Sequence, residues 1–293
     1  MELRQLRYAE AVARHRHFTR AAEELHVAQS ALSHQIRRLE DELGAELFER
    51  TSRSVTPTEA GEAVATRART ILAEVEDVRG EIDELRGLVR GRVSVGALLP
   101  AGELDVPQLL ARFSEAFPGI EVRLREGTAG DMVRYLEQND VDAAFTLQAE
   151  LPDGLETEWL GEEELVAAFP PGSGPDRPFV DAAELARHTL VTPRSDSAIK
   201  KAVDDLFARA GEALRVSLES GDPFLLRCLV SAGFGAGVLP RSLIGREGPP
   251  IEVRALRPAV RLPVMLVWRS GRHRSPAARA FIDFALGEAP ASR

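Results

Sequence analysis

Residues 18–50, FTRAAEELHVAQSALSHQIRRLEDELGAELFER, decide how the whole chain is read. Leu32, Ile36, Leu39 and Leu43 recur at steps of four, three and four, the spacing that stacks side chains along one face of an α-helix. With that face turned inward, Gln29, Ser30, Ser33, His34 and Arg37 fall on the other side, and none of them is a carboxylate. A shorter segment over 19–25 precedes it, packing through Phe18, Ala21, Ala22 and Leu25, and its small alanines permit a close crossing. The pair reads as a helix-turn-helix.

The acids sharpen the reading. From Leu25 to Leu39 there is no Asp or Glu, whereas Glu23, Glu24, Glu40, Asp41, Glu42, Glu46 and Glu49 crowd the borders. A surface that faces phosphate excludes carboxylates, because each opposes the backbone contacts that supply most of the affinity. The periodicity alone fits an ordinary helical hairpin with a solvated face equally well, since such pairs are common. The placement of the acids favours DNA. On this reading Gln29, Ser30, Ser33 and His34 face base edges, while Arg37 and Arg53 hold phosphate or the minor groove.

The run from Phe18 to Gly61, with AAEEL, QSALSHQI, LEDELG, LFER and PTEAG, resembles the winged helix-turn-helix of LysR-type transcriptional regulators, and the remaining chain has that family's length and order. The resemblance implies that residues 50–55 form a wing against the neighbouring minor groove, carrying Arg53 outward. Arg50, in the LFxR pattern, reads better as a structural ion-pair partner than as a DNA contact.

Net charge does not locate the site. The chain has 293 residues and a formal charge of −9, which by itself argues against nucleic acid, and residues 1–60 carry nine arginines against ten carboxylates. A hydrophobic content of 44% supplies material for more than one core. No stretch reaches the ~20 apolar residues of a membrane helix and the N-terminus has no signal-peptide centre, so the expected location is the cytoplasm. Cys228 stands alone, so no intrachain disulfide can form, and its apolar helical setting suits a small buried hydrophobe.

In chain order, Leu3, Leu6, Ala9 and Ala13 begin a first helix that completes the core of the other two. Thr56 followed by Glu59, with Pro57 between, reads as a capping box that opens a long helix. Within it Val64, Ala68, Ile71, Val75, Val78, Ile82, Leu85 and Val89 alternate steps of four and three, a heptad seam. Such a seam could pack within one subunit, but the stronger reading is dimerisation, and the resemblance implies an antiparallel linker-helix pair that sets two recognition helices on one duplex. From Arg92 the periods switch to strand–helix alternation, β-α-β-α-β through 147 and then a second series, which demands parallel sheet with crossover helices. Strands are expected at 165–169, 190–191, 216–218, 237–239 and 262–268, with helices capped by Asp181, by Ser195 or Ser197, and by Ser275.

The fold expected is therefore α/β: an N-terminal all-α winged helix-turn-helix (1–58), a linker and dimerisation helix (59–90), and two Rossmann-like lobes of the periplasmic-binding-protein type. The first lobe takes 91–161 and 269–293, the second 162–268, with both boundaries resting chiefly on the resemblance. Two such lobes enclose a cleft at strand ends and helix N-termini. Its candidate lining is Leu99, Pro100, Thr128, Leu147, Ser195 and Ser220, with helix capping an equally good role for each hydroxyl. The resemblance implies that a Ser or Thr often stands where Pro100 does and binds an anionic effector, so Pro100 puts a carboxylate ligand in doubt.

No catalytic constellation, metal set or cofactor motif emerges. Gly233, Gly235 and Gly237 follow a helix and precede a strand, the reverse of a dinucleotide fingerprint, and His15, His17, His26 and His34 lack a ligand-set pattern. The reading is a cytoplasmic, dimeric or tetrameric regulator that binds double-stranded DNA and a small-molecule effector, with RNA polymerase a further candidate partner. The alternative is a soluble small-molecule binding protein or enzyme whose N-terminal helices serve only assembly.

Overall fold

The computed structural model describes residues 1–50, 55–85, 90–98, 102, 104–148, 150–271 and 274–288. Its contacts divide into an N-terminal unit through Gly91, joined by 138–140, and a unit containing the rest of the chain from Arg92 on.

The N-terminal unit has helices α1 (Leu3–His15), α2 (Phe18–Glu24) and α3 (Gln29–Leu43), strands β1 (Phe48–Arg50) and β2 (Val55–Pro57), and the long helix α4 (Glu59–Leu85). Its core joins Tyr8, Val12, Phe18, Ala21, Leu32, Ile36, Leu39, Leu47 and Phe48. Gly44 adopts the left-handed conformation that ends α3, a backbone state open to glycine at no steric cost. Leu43 departs from expectation: it is 42% exposed. It sits in the last turn of α3, and Leu47 and Phe48, returning after the Gly44 turn, complete the core in its place.

Strands β1 and β2 pair antiparallel, Phe48 opposite Pro57. That pairing also corrects the expected capping box. Thr56 and Pro57 are taken into β2, so Thr58 caps α4, its hydroxyl accepting from the Gly61 N–H (3.0 Å) and donating to the Glu46 carbonyl (2.7 Å). A methyl on Gly61 would overlap the Leu47 carbonyl oxygen, so the glycine lets the first turn of α4 lie flush on the chain leaving the core. Ala65 and Ala68 are buried farther along.

The second unit contains β3 (Gly91–Ala97), α5 (Val106–Ala116), β4 (Ile120–Glu126), α6 (Ala129–Glu137), β5 (Ala143–Thr146), β6 (Leu155–Phe169), β7 (Phe179–Val180), α7 (Ala182–Leu185), β8 (Leu190–Pro193), α8 (Ala198–Ala210), β9 (Val216–Ser220), α9 (Pro223–Ser231), β10 (Ala236–Pro240), α10 (Arg241–Ile244), β11 (Glu252–Arg269) and α11 (Pro276–Gly287). Among the described residues the strands form one sheet in the order β4-β3-β5-β11-β6-β10-β8-β9, with β7 beside β11. Pairing is parallel between β3 and β5 and among β10, β8 and β9, as the crossover helices require. It is antiparallel wherever β6 or β11 takes part with β5, β10 or each other.

The two halves therefore share a sheet through two long strands, each far longer than its apolar segment. The exchange lies inside those strands. β11 already pairs with β5 over Met265–Trp268, ahead of the expected return at 269. α11 then packs back on the first half, Phe281 edge-on to Phe113 at 5.2 Å and to Phe145 at 6.2 Å. Where the strands cross, Glu163 is 1% exposed. Its carboxylate accepts from the Gly102 N–H (2.9 Å), the Ser242 N–H (3.1 Å) and the Ser242 hydroxyl. A buried carboxylate is tolerable only with such a complete set of donors, and here the donors come from both halves.

Candidate DNA-binding face and effector cleft

On α3, Leu32, Ile36 and Leu39 are buried, Gln29, Ser30, His34 and Arg37 are exposed, and Ser33 is half-buried. These five residues thus lie along the solvent side of the helix. The helix opens at Ala28, whose side chain offers no cap, and no acid occupies its first turn. The helix before it is capped by His17, whose Nδ1 accepts from the Thr19 N–H (3.1 Å) and, at 3.4 Å, the Arg20 N–H. That role was not foreseen: histidine is uncommon as an N-cap, and only the unprotonated Nδ1 can accept. Glu24, at the border of the acid-free run, is bound by Arg14 (2.6 and 2.9 Å) and by His15. These bonds, Arg14's foremost, lower its carboxyl to about 2 and raise the Arg14 guanidinium in turn. Arg53 and the side chain of Arg50 lie outside the described residues.

In the second unit a cleft of about 640 Å³ opens at the C-terminal ends of β3, β4, β5, β8, β9 and β10, the place where open α/β sheets receive ligands. Its apolar lining includes Leu98, Leu147, Leu226 and Leu239. Thr128 lines it and also caps α6: its N–H (2.9 Å) and hydroxyl (3.0 Å) donate to Asp131, whose N–H returns a bond to the hydroxyl (3.2 Å). Ser220 lines it and accepts from the Asp222 N–H (3.1 Å). Of the expected lining, Thr128, Leu147 and Ser220 meet there. Ser195 does not: it is exposed in the turn before α8, and Ser197 caps that helix and lines the cleft in its stead. The physical reason is one turn of chain, since β8 runs on to Pro193 and the cap falls four residues later. Leu99 and Pro100 lie outside the described residues. A second hollow of about 800 Å³ beside Glu163 has Glu164 paired with Arg241 (2.6 Å) and Glu162 with Arg261 (3.6 Å).

Sequence profiles fall on both parts of the chain. Residues 3–62 match the bacterial regulatory helix-turn-helix protein of the lysR family, and residues 86–290 match the LysR substrate binding domain. The chain belongs to the LysR family of transcriptional regulators. It is 34% identical to the RuBisCO operon transcriptional regulator of Allochromatium vinosum over 303 residues, covering 99% of this chain and 97% of that one. To the DNA-binding transcriptional dual regulator OxyR of Escherichia coli K12 it is 30% identical over 276 residues, covering 92% and 90%. Its structure matches that of full-length CbnR complexed with its target DNA at a TM-score of 0.71, with 27% identity and coverage of 98% and 99%.

The chain is accordingly a LysR-type DNA-binding transcription regulator with an effector-binding domain, and the enzyme alternative is set aside by that membership. Among the described residues no helix is long and apolar enough to cross a membrane. Cys228 is half-buried on α9. Several cleft residues were missed from sequence, notably Asp131, Arg194, Asp196 and Asp222. Asp222 carried a usable signal, because Asp before Pro at a helix start marks an N-cap with Pro at the first helical position. The others follow only from which strand ends meet.

Proposed function

We propose that this LysR regulator binds operator DNA as a dimer, reads it with Gln29, Ser30, Ser33 and His34, and holds phosphate or minor groove with Arg37 and Arg53. The observation that carries this is the exposed face of α3 from Gln29 to Arg37, free of carboxylates, over a closed helical core. The uncapped first turn of α3 adds backbone donors suited to a phosphate. Dimerisation is assigned to α4 through Val64, Ala68, Ile71, Val75, Val78 and Ile82; Leu85's side chain and Val89 lie outside the described residues. Ile71, Val78 and Ile82 are 37%, 58% and 47% exposed, a run of apolar side chains on one helix that calls for a partner. A tetramer would then be a pair of such dimers.

The effector enters the cleft and meets Thr128, Leu147, Ser197 and Ser220. It changes DNA binding only through a difference in affinity between two arrangements of the assembly, and a tenfold difference amounts to about 1.4 kcal/mol. Action in the cytoplasm follows from the DNA target, and contact with RNA polymerase rests on the family alone. DNA fragments retained by the purified chain identify the operator; on that operator, Arg37→Ala should weaken binding for every sequence and flatten the salt slope by about 1. An unchanged slope for both Arg37→Ala and Arg53→Ala would remove these arginines from the interface.

A further inference from the structure

The cleft has a definite charge. Among its described ionisable lining residues, Glu126, Asp131, Asp196 and Asp222 are acids and Arg194 is the one base. Arg194 lies 3.2 Å from Asp196 and Arg134 pairs with Asp131, so these charges answer one another and the acids left to meet a ligand are Glu126 and Asp222. Residues 99–101 and 149, the undescribed residues nearest in sequence to lining residues 98 and 147, include no Lys, Arg or His.

The helix N-termini, which would otherwise draw an anion, are filled by the chain's own acceptors. Asp131 occupies the start of α6, Ser197 accepts from the Ile199 N–H (3.2 Å) at α8, and Asp222 accepts from the Phe224 N–H (2.8 Å) at α9. An anion approaching any of the three would meet a carboxylate or an occupied donor. The apolar lining and a volume within the usual range for small-molecule sites suit a compact organic body.

We infer that the effector of this cleft is a cationic small molecule whose ammonium or guanidinium group is held by Glu126 and Asp222, an assignment that rests on the cleft being the effector site. Glu126 ends β4 in the first half and Asp222 precedes α9 in the second. Without a cation, carboxylates brought from the two halves to one cleft repel each other; with one, that repulsion turns to attraction. The charge of the ligand thereby becomes the quantity that favours the arrangement in which the two halves hold it together.

The test uses the full chain at constant ionic strength, with agmatine and putrescine set against succinate, citrate and benzoate in calorimetry. Agmatine or putrescine should bind at least tenfold more tightly than any of the anions, and Glu126→Gln should weaken that binding about tenfold. Asp222→Asn should do the same while keeping the cap of α9, since Asn caps as well as Asp. Tighter binding of an anion that Thr128→Trp abolishes would overturn the cationic class and leave the cleft as the effector site. Cation binding that survives Glu126→Gln, Asp222→Asn and Thr128→Trp would place the ligand elsewhere and overturn both readings. No binding of either cation up to about 10 mM would overturn the charge assignment.

Discussion

Helices α3 and α4 carry the same kind of apolar repeat and meet opposite fates. Along α3, Leu32, Ile36 and Leu39 are buried against α1, α2 and the β1 strand that follows. Along α4 the repeat is buried at Ala68, near its start, and then emerges, Val78 reaching 58% exposure. Periodicity therefore says that a face is to be covered and not by what. The α3 seam is satisfied within the chain, so its opposite face is free to carry chemistry. The α4 seam stands exposed at Ile71, Val78 and Ile82, where the proposed dimer would cover it.

Placing one carboxylate in each seam would separate the two cases. Ile36→Asp should have the largest effect, leaving an unpaired charge in a closed core; it is expected to cost upwards of about 4 kcal/mol and unfold the N-terminal unit. Its checks are the loss of helical circular dichroism at low temperature and of DNA binding. Val78→Asp should leave the monomer folded, because the side chain is exposed there, and weaken the dimer by several kcal/mol. Sedimentation equilibrium reads this directly. An intact dimer for both Val78→Asp and Ile71→Asp would mean that α4 is covered within one subunit after all.

The buried start of α4 sharpens the contrast. Gly61→Ala drives a methyl into the Leu47 carbonyl oxygen, where the backbone cannot yield cheaply, and should destabilise the unit by about 1–3 kcal/mol in thermal melts. A smaller effect is expected from Thr58→Ala, which removes the cap of α4 and leaves the Gly61 N–H without its side-chain acceptor, at about 1 kcal/mol. Thr56→Ala should cost less, since Thr56 lies in β2; the reverse order would restore Thr56 as the cap.

Much of the recognition unit was legible because its signals are local. A three-four repeat, a glycine at a helix end and a run without acids all act over a few residues, and the helices they imply are the ones present. The errors lie where distant chain intervenes. Thr56 looked like a cap until β1 claimed it for a strand, and Ser195 gave way to Ser197 because β8 extends to Pro193. The long strands were the hardest. β6 begins at Leu155 and runs through Glu156, Glu158 and Glu162–Glu164, and β11 begins at Glu252. Charged stretches of this kind carry little strand propensity of their own and are held extended by their pairing with each other over most of their lengths.

The cleft divides the same way. Thr128 and Ser220 could be picked out because they stand at a helix start and a strand end, where open α/β sheets receive ligands, with capping an equal use for each hydroxyl. The meeting of Glu126, Asp131, Asp196 and Asp222 around one hollow could not, since they come from separate loops whose approach depends on strand order. By itself the sequence determined the helices, their inward faces, the carboxylate-free stretch of α3 from Gln29 to Arg37 and the alternation of strands with crossover helices, all of which rest on interactions between near neighbours. Only the tertiary structure decided which faces are covered within the chain, how far β6 and β11 extend and which charges share the cleft. Burial and charge proximity are properties of residues that folding brings together from far apart along the chain.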